Sequence, residues 1–155
     1  MRKITFFLGL LFATMLVAKP TVSIQDQKML VTNGETSYVL APNGDDASYF
    51  WASVSPDGKH LVYVTAKYGT FVCDINGNDV RSMGRMNAPK WLDNNHISGM
   101  QEFYTGHDEI DHIRYISRNI NNHNTRELSE IEQLRHIVSK QRRNVKQLVW
   151  QHAKR

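Results

Sequence analysis

A mainly β chain, built as a partial β-propeller of about two four-stranded antiparallel blades and finished by a C-terminal α-helix, is what this sequence predicts. Three observations predict it. From Lys28 to Ser129, short runs rich in β-branched and aromatic residues are split by closely spaced turn signals, with no apolar period of helical length. The same stretch repeats itself, since Phe71 to Met83 lies over Ile116 to Leu128 at an offset of 45 residues. After Ser129 the composition changes to a pattern that suits one helix.

The N-terminus is read first. Met1-Arg2-Lys3 is a positive n-region, and Ile4 to Ala18 is an uncharged apolar run of 15 residues closed by Lys19-Pro20. A spanning helix needs about 20 residues, so residues 1–18 are expected to be a secretory signal peptide, cut after Ala18. The protein is then exported, to the periplasm or an equivalent compartment, with an uncleaved N-terminal anchor as the lesser reading. No cysteine stands at the end of the apolar run to accept a lipid. Cys73 is the single cysteine, which excludes an internal disulfide and reads as a small buried hydrophobe on a strand.

Residues 19–48 are an opening segment carrying the strands of a partial blade, Met29-Leu30-Val31 and Tyr38-Val39-Leu40. Residues 49–129 hold the two blades, from about Tyr49 to Gly84 and from about Pro89 to Ser129. The best-formed corner is Ser55-Pro56-Asp57-Gly58-Lys59, in which proline fixes the φ of the second turn position, and Asp and Gly suit the last two. Upstream of the 45-residue repeat, Ala52 to Leu61 answers to Pro89 to Ile97 with one residue deleted. Asn33-Gly34, Asn43-Gly44 and Asn76-Gly77 are expected to turn with positive φ at both residues, and Asn122 is expected to replace Gly77 in the second blade. A four-stranded unit of about 40 to 45 residues is the period of a propeller blade.

Residues 130–155 are expected to form a basic amphipathic helix, from about Glu130 to Ala153. Ser129 and Glu132 have the spacing of a capping box, and Ile131, Leu134, Val138, Gln141, Val145, Leu148 and His152 follow at steps of three and four. The favoured role is packing against a sheet edge or the partial propeller, ahead of a coiled-coil contact with a second copy. The net charge of +4 is a property of this tail, because residues 19–128 carry ten Lys and Arg against thirteen Asp and Glu. That balance makes nucleic acid an unexpected partner, while Arg135, Lys140, Arg142, Arg143 and Lys146 offer a basic face to a membrane surface.

Motifs for chemistry are sparse. No nucleophile elbow, Gly-rich phosphate loop or placed acid–base pair occurs, so the chain is expected to be non-enzymatic and to need no cofactor. His107, Asp108, Asp111 and His112 are the weak metal candidates, with ligand types that suit zinc or manganese; their polarity reads first as a hairpin loop. Trp51, Trp91, Tyr49 and Phe50 read as core in preference to a ligand surface. Ser55, Pro56, Asp57, Gly58, Asn76 and Gly77 are read as a structural turn motif.

The unit with Ser55-Pro56-Asp57-Gly58-Lys59 after a first strand, and Asp74-Ile75-Asn76-Gly77-Asn78-Asp79-Val80-Arg81 before the last, resembles the repeat of TolB-like β-propellers of bacterial envelopes. The resemblance covers about 80 residues and weakens at Leu92-Asp93-Asn94-Asn95, where the second corner departs from the motif. It implies that the rim and channel mouth bind partner proteins or peptides. The expected function is an interaction module in the cell envelope, whose partner is an envelope protein or peptide; its open blade edges or its helix could also join copies of the chain. Two alternatives accompany it, a truncated propeller from a prolyl-oligopeptidase-like peptidase and an inactive fragment of a longer or frame-shifted propeller.

Overall fold

The computed structural model describes residues 18–106 and 109–135. All of the expected signal segment 1–18 but Ala18, and the predicted helix beyond residue 135, lie outside them. Three antiparallel sheets follow one another along the chain. The first contains β1 (Thr21–Gln25), β2 (Lys28–Asn33) and β3 (Thr36–Leu40). The second contains β4 (Tyr49–Val54), β5 (His60–Thr65), β6 (Gly69–Asp74) and β7 (Arg81–Gly84). The third contains β8 (Asn87–Trp91), β9 (His96–Thr105), β10 (Glu109–Asn119) and β11 (Thr125–Glu127). Each is an up-and-down meander, and none closes on itself. A short helix, α1, follows, described over 130–135.

The opening segment holds one strand more than its sequence suggests. β1 alternates Thr21, Ser23 and Gln25 outward with Val22 and Ile24 partly buried against the core, and it joins β2 through Asp26 and Gln27 at φ 46° and 58°. Two positive φ values in a two-residue loop make a type I′ turn. No glycine or asparagine announces it.

The Asn-Gly pairs also turn differently from expectation. Only the glycines, Gly34, Gly44 and Gly77, have positive φ; their asparagines do not. At Asn76-Gly77 the amide of Gly77 donates to the Asp74 carbonyl at 3.1 Å and the amide of Asp74 to the Asn78 carbonyl at 2.8 Å, so a type I turn ends in a left-handed glycine. The Ser55 corner is built the same way. Gly58 donates to the Ser55 carbonyl at 3.0 Å and itself has φ 77°. The Asp57 carboxylate accepts from Ser55 Oγ at 2.6 Å and from the Lys59 amide at 3.1 Å, and the Ser55 hydroxyl holds Asp57 below the usual carboxylate range.

The second and third sheets are copies in register. Val54 pairs with Leu61 as Trp91 pairs with Ile97; His60 pairs with Asp74 as His96 pairs with Asn119; Tyr63 pairs with Phe71 as Gly99 pairs with Ile116. Even the link between corners recurs, since Ile75 donates to the Lys59 carbonyl and Ile120 to the Asn95 carbonyl, both at 2.9 Å. One predicted equivalence shifts by a residue. The left-handed position of the last turn falls at His123, φ 59°, instead of Asn122, because this loop closes from Asn119 to Asn124 and not over four residues.

Two cores lie on the two faces of the second sheet. Leu61, Tyr63 and Cys73 meet Met29 and Val31 of the first sheet, with Tyr49 and Ala47. Val62, Val72 and Met83 meet Ile97 and Ile116 of the third, with Met86 and Ile120. Burying each large apolar side chain is worth about 1.5 to 3 kcal/mol, so the second sheet is the element both neighbours depend on. Tyrosines tie its first face: Tyr38 donates to the Ile75 carbonyl at 3.0 Å and Tyr63 to Asn43 Oδ1 at 2.5 Å. Arginines and a tryptophan tie the second. Arg81 donates to the Ile120 carbonyl at 2.7 Å, Trp91 Nε1 to the Ser53 carbonyl at 3.1 Å, and Arg118 to the Met83 carbonyl.

The expected capping box forms at the start of α1. The Ser129 amide donates to Glu132 at 3.0 Å and the Glu132 amide to Ser129 Oγ at 3.5 Å. Arg126 adds an ion pair at 2.7 Å, and the Arg126 guanidinium is the main cause that brings the Glu132 carboxyl down to about 2. Ile131 and Leu134, the first residues of the predicted apolar seam, are exposed, so this first stretch of helix does not bury that seam on a sheet edge. The remainder of the seam lies outside the described residues, and no described helix is long and apolar enough to cross a membrane.

Candidate functional site

The two equivalent sheets differ most in one hairpin. From β9 to β10 the repeat offset grows from 36 to 45 residues, so this hairpin is nine residues longer than the one between β5 and β6. The predicted polar loop is therefore largely strand: Glu109 to His112 belong to β10, with a bulge at Asp111. β8 pairs with β9 only as far as Met100. Beyond it, Gln101–Thr105 have β10 on one side and no described strand on the other.

A cleft of about 300 Å³ opens along that edge, between the third sheet and the β5–β6 turn. Phe50, Tyr68 and Tyr104 rim it, each from 44 to 60% exposed. Lys67 and Arg85 bring positive charge to its lining, and Met86 and Asn87, at the start of β8, also line it. Lys67 lies 5.1 Å from the centre of the Tyr68 ring, within the range of a cation–π contact. Glu102 is the one carboxylate among the described lining residues, and it accepts the Tyr104 hydroxyl at 2.5 Å. Neither Lys67 nor Arg85 has an ion pair among the described residues.

Local geometry explains why Phe50 faces this cleft. β4 is bulged between Tyr49 and Trp51, which puts two residues where the pleat expects one. Tyr49 is then buried in the first core, Trp51 packs on the second, and Phe50 is left 60% exposed. Core is thus the right reading for Tyr49, Trp51 and Trp91, and the wrong one for Phe50.

The metal candidates are dispersed in role. Asp111 and His112 are hydrogen-bonded to each other at 2.7 Å. The His112 ring stacks on Phe103 at 4.5 Å, and the Arg114 guanidinium lies 4.9 Å from the same ring. His107 and Asp108 lie outside the described residues. Among the described residues, no group of three or more His, Cys, Asp or Glu is placed to hold a metal. Ser55, Pro56, Asp57, Gly58, Asn76 and Gly77 all stand at turns whose polar groups bond within the turn, away from the cleft lining.

No family model, curated protein or solved structure matches this chain. One acid–base pair escaped sequence reasoning, Asp93 with His96. The Asp93 carboxylate meets His96 Nδ1 at 3.0 Å, and burial, which would raise its pKa, is outweighed by the amides of Asn95 and His96 and by the imidazole, which hold it low. That orientation leaves Nε2 as an acceptor, and Asn119 Nδ2 fills it at 3.1 Å. The pair staples the β8–β9 turn to β10. Its spacing of three residues, with asparagines between, is the signal a sequence offers for such an Asx turn.

Proposed function

We propose that this chain is an exported, non-enzymatic propeller-repeat protein that serves as a protein–protein interaction module in the cell envelope. The observation that carries the reading is the cleft at the lengthened hairpin. Three aromatic rings stand exposed on a scaffold whose strands are packed through two cores, and side chains positioned by a rigid framework are where recognition concentrates. The TolB-like repeat supports the same class of function through the Ser55 to Lys59 and Asp74 to Arg81 motifs.

Site-specific photo-crosslinking in cells tests it. A crosslinking residue at position 50 or 104 is expected to trap a discrete envelope protein, whereas one at Gln25, exposed on the first sheet, is expected to trap none. Fractionation of the same cells locates the protein. Adducts of equal yield at all three positions, or none at any, would overturn the interaction reading, and a cytoplasmic fraction would overturn export.

A further inference from the structure

We infer that the cleft receives an extended acidic peptide segment of a partner protein, which adds as a strand to the open edge of β9 over Gln101–Thr105. The inference rests on the interaction reading and names the mode and chemistry of the contact. The third sheet is four strands wide up to Met100 and narrower beyond it, because β8 starts at Asn87 opposite Met100. The chain before Asn87 turns inward at Met86, which is 2% exposed and sits in the second core. The edge of β9 past this point presents main-chain N–H and C=O groups to the cleft, and an incoming strand continues the line of β8.

Side chains around that edge define the occupant. A strand lying there meets Phe50, Tyr68 and Tyr104 together with Lys67 and Arg85, and Lys67 stands beside the Tyr68 ring. Glu102 keeps its charge while it accepts the Tyr104 hydroxyl, and Asp46 acts on Lys67 from outside the lining, so two cations against one carboxylate leave the lining itself positive by one, in a unit where acidic residues outnumber basic ones between 19 and 128. A segment alternating apolar side chains with carboxylates fits both demands. A basic segment fits neither, because like charges across an interface are strongly disfavoured.

The test uses the full chain and three fluorescein-labelled heptapeptides read by anisotropy. The first alternates glutamate with valine around a central phenylalanine, the second replaces every glutamate by lysine, and the third is the first with alternate amides N-methylated. The acidic probe is expected to bind at micromolar concentration, and both other probes at least about tenfold more weakly. The double variant Lys67→Glu with Arg85→Glu, two exposed positions whose change leaves the near-ultraviolet spectrum in place, is expected to reverse the preference between the first two probes. No binding of the acidic probe at millimolar concentration overturns the inference. Equal binding of the N-methylated probe overturns strand addition. If crosslinking from positions 50 and 104 succeeds while the acidic probe fails, the interaction reading stands and this mode falls; if the probe binds while crosslinking fails, the envelope-interaction reading falls and takes the proposed partner protein with it, leaving only a cleft that accepts acidic strands.

Discussion

The second and third sheets share a register and differ in what their faces meet. Where the second sheet turns Val62 and Val72 toward its neighbour, the equivalent pair in the third is Ser98 and Ser117. Tyr63, buried against the first sheet, corresponds to Gly99, whose place is filled by Met86 from the connection between the sheets. Arg81 reaches forward from the second sheet to the Ile120 carbonyl, whereas its counterpart Arg126 reaches α1 through Glu132. Backbone pairing is therefore conserved within the molecule while each face is tuned to its own neighbour. Ser98 and Ser117 are themselves buried, at 0% and 2% exposed, so the third sheet carries small polar groups where the second carries valines.

Restoring bulk at Gly99 is the strongest way to break this comparison. A Cβ there would stand 2.1 Å from Met86 Cγ and 3.0 Å from the Asn87 carbonyl, so Gly99→Leu is expected to lose about 3 kcal/mol through overpacking. Urea denaturation reads the loss, and the double variant with Met86→Ala should recover part of it. An unchanged midpoint for Gly99→Leu would show that Met86 does not lock the two sheets together.

The paired arginines come next. Arg81→Ala strips a donor from the Ile120 carbonyl between two sheets and is expected to lower stability by about 2 kcal/mol. Arg126→Ala, at the same repeat position but with a side chain 58% exposed, is expected to lose much less, because solvent screens an exposed ion pair. Equal losses would mean that the two positions do the same job.

Cys73 sharpens the contrast from the other face, since its counterpart Arg118 is polar. Burial pushes the Cys73 thiol up to about 12, with Asp74 adding to it. Folding favours the neutral thiol, so the associated stability is present below pH 9, the ordinary thiol value, and is lost as pH rises toward 12. Iodoacetamide at pH 8 is expected to label the native protein on the order of 10³ times more slowly than the urea-unfolded chain, in proportion to thiolate. Comparable rates would place Cys73 at the surface.

The smallest effect is at Glu132. Its carboxyl is lowered from 4.5 to about 2, so its contribution is present above pH 4.5 and fades as pH falls toward 2. Carboxyl chemical shifts should show that midpoint, moving back up toward 4.5 in Arg126→Ala; no movement would mean that the capping contacts alone hold it.

Sequence reading succeeds here where local chemistry decides the backbone. Ser55-Pro56-Asp57-Gly58 and the Ser129–Glu132 box need only a few neighbours to form, and the paired registers follow from turn residues at fixed spacing. β1 escapes because Asp26 and Gln27 make a turn usually marked by glycine. The lengthened hairpin escapes because Glu109 to His112 are exposed, so no alternation of apolar and polar residues marks them as strand. The cleft is harder still. Phe50, Lys67, Tyr68, Arg85 and Tyr104 are scattered along the chain, and a bulge that no single residue announces turns the first of them outward.

The same hairpin shows how such a chain can acquire a new surface without redesign. Residues added in equal number to both arms keep every inner side chain facing inward, and the one left over is absorbed by the bulge at Asp111. Because the lengthening runs past the end of β8, it displaces nothing in either core, and the entropy of closing a longer loop grows only slowly with length. The β9–β10 arm is therefore a natural grafting point, a place where foreign sequence can be exchanged while the stack beneath keeps its packing.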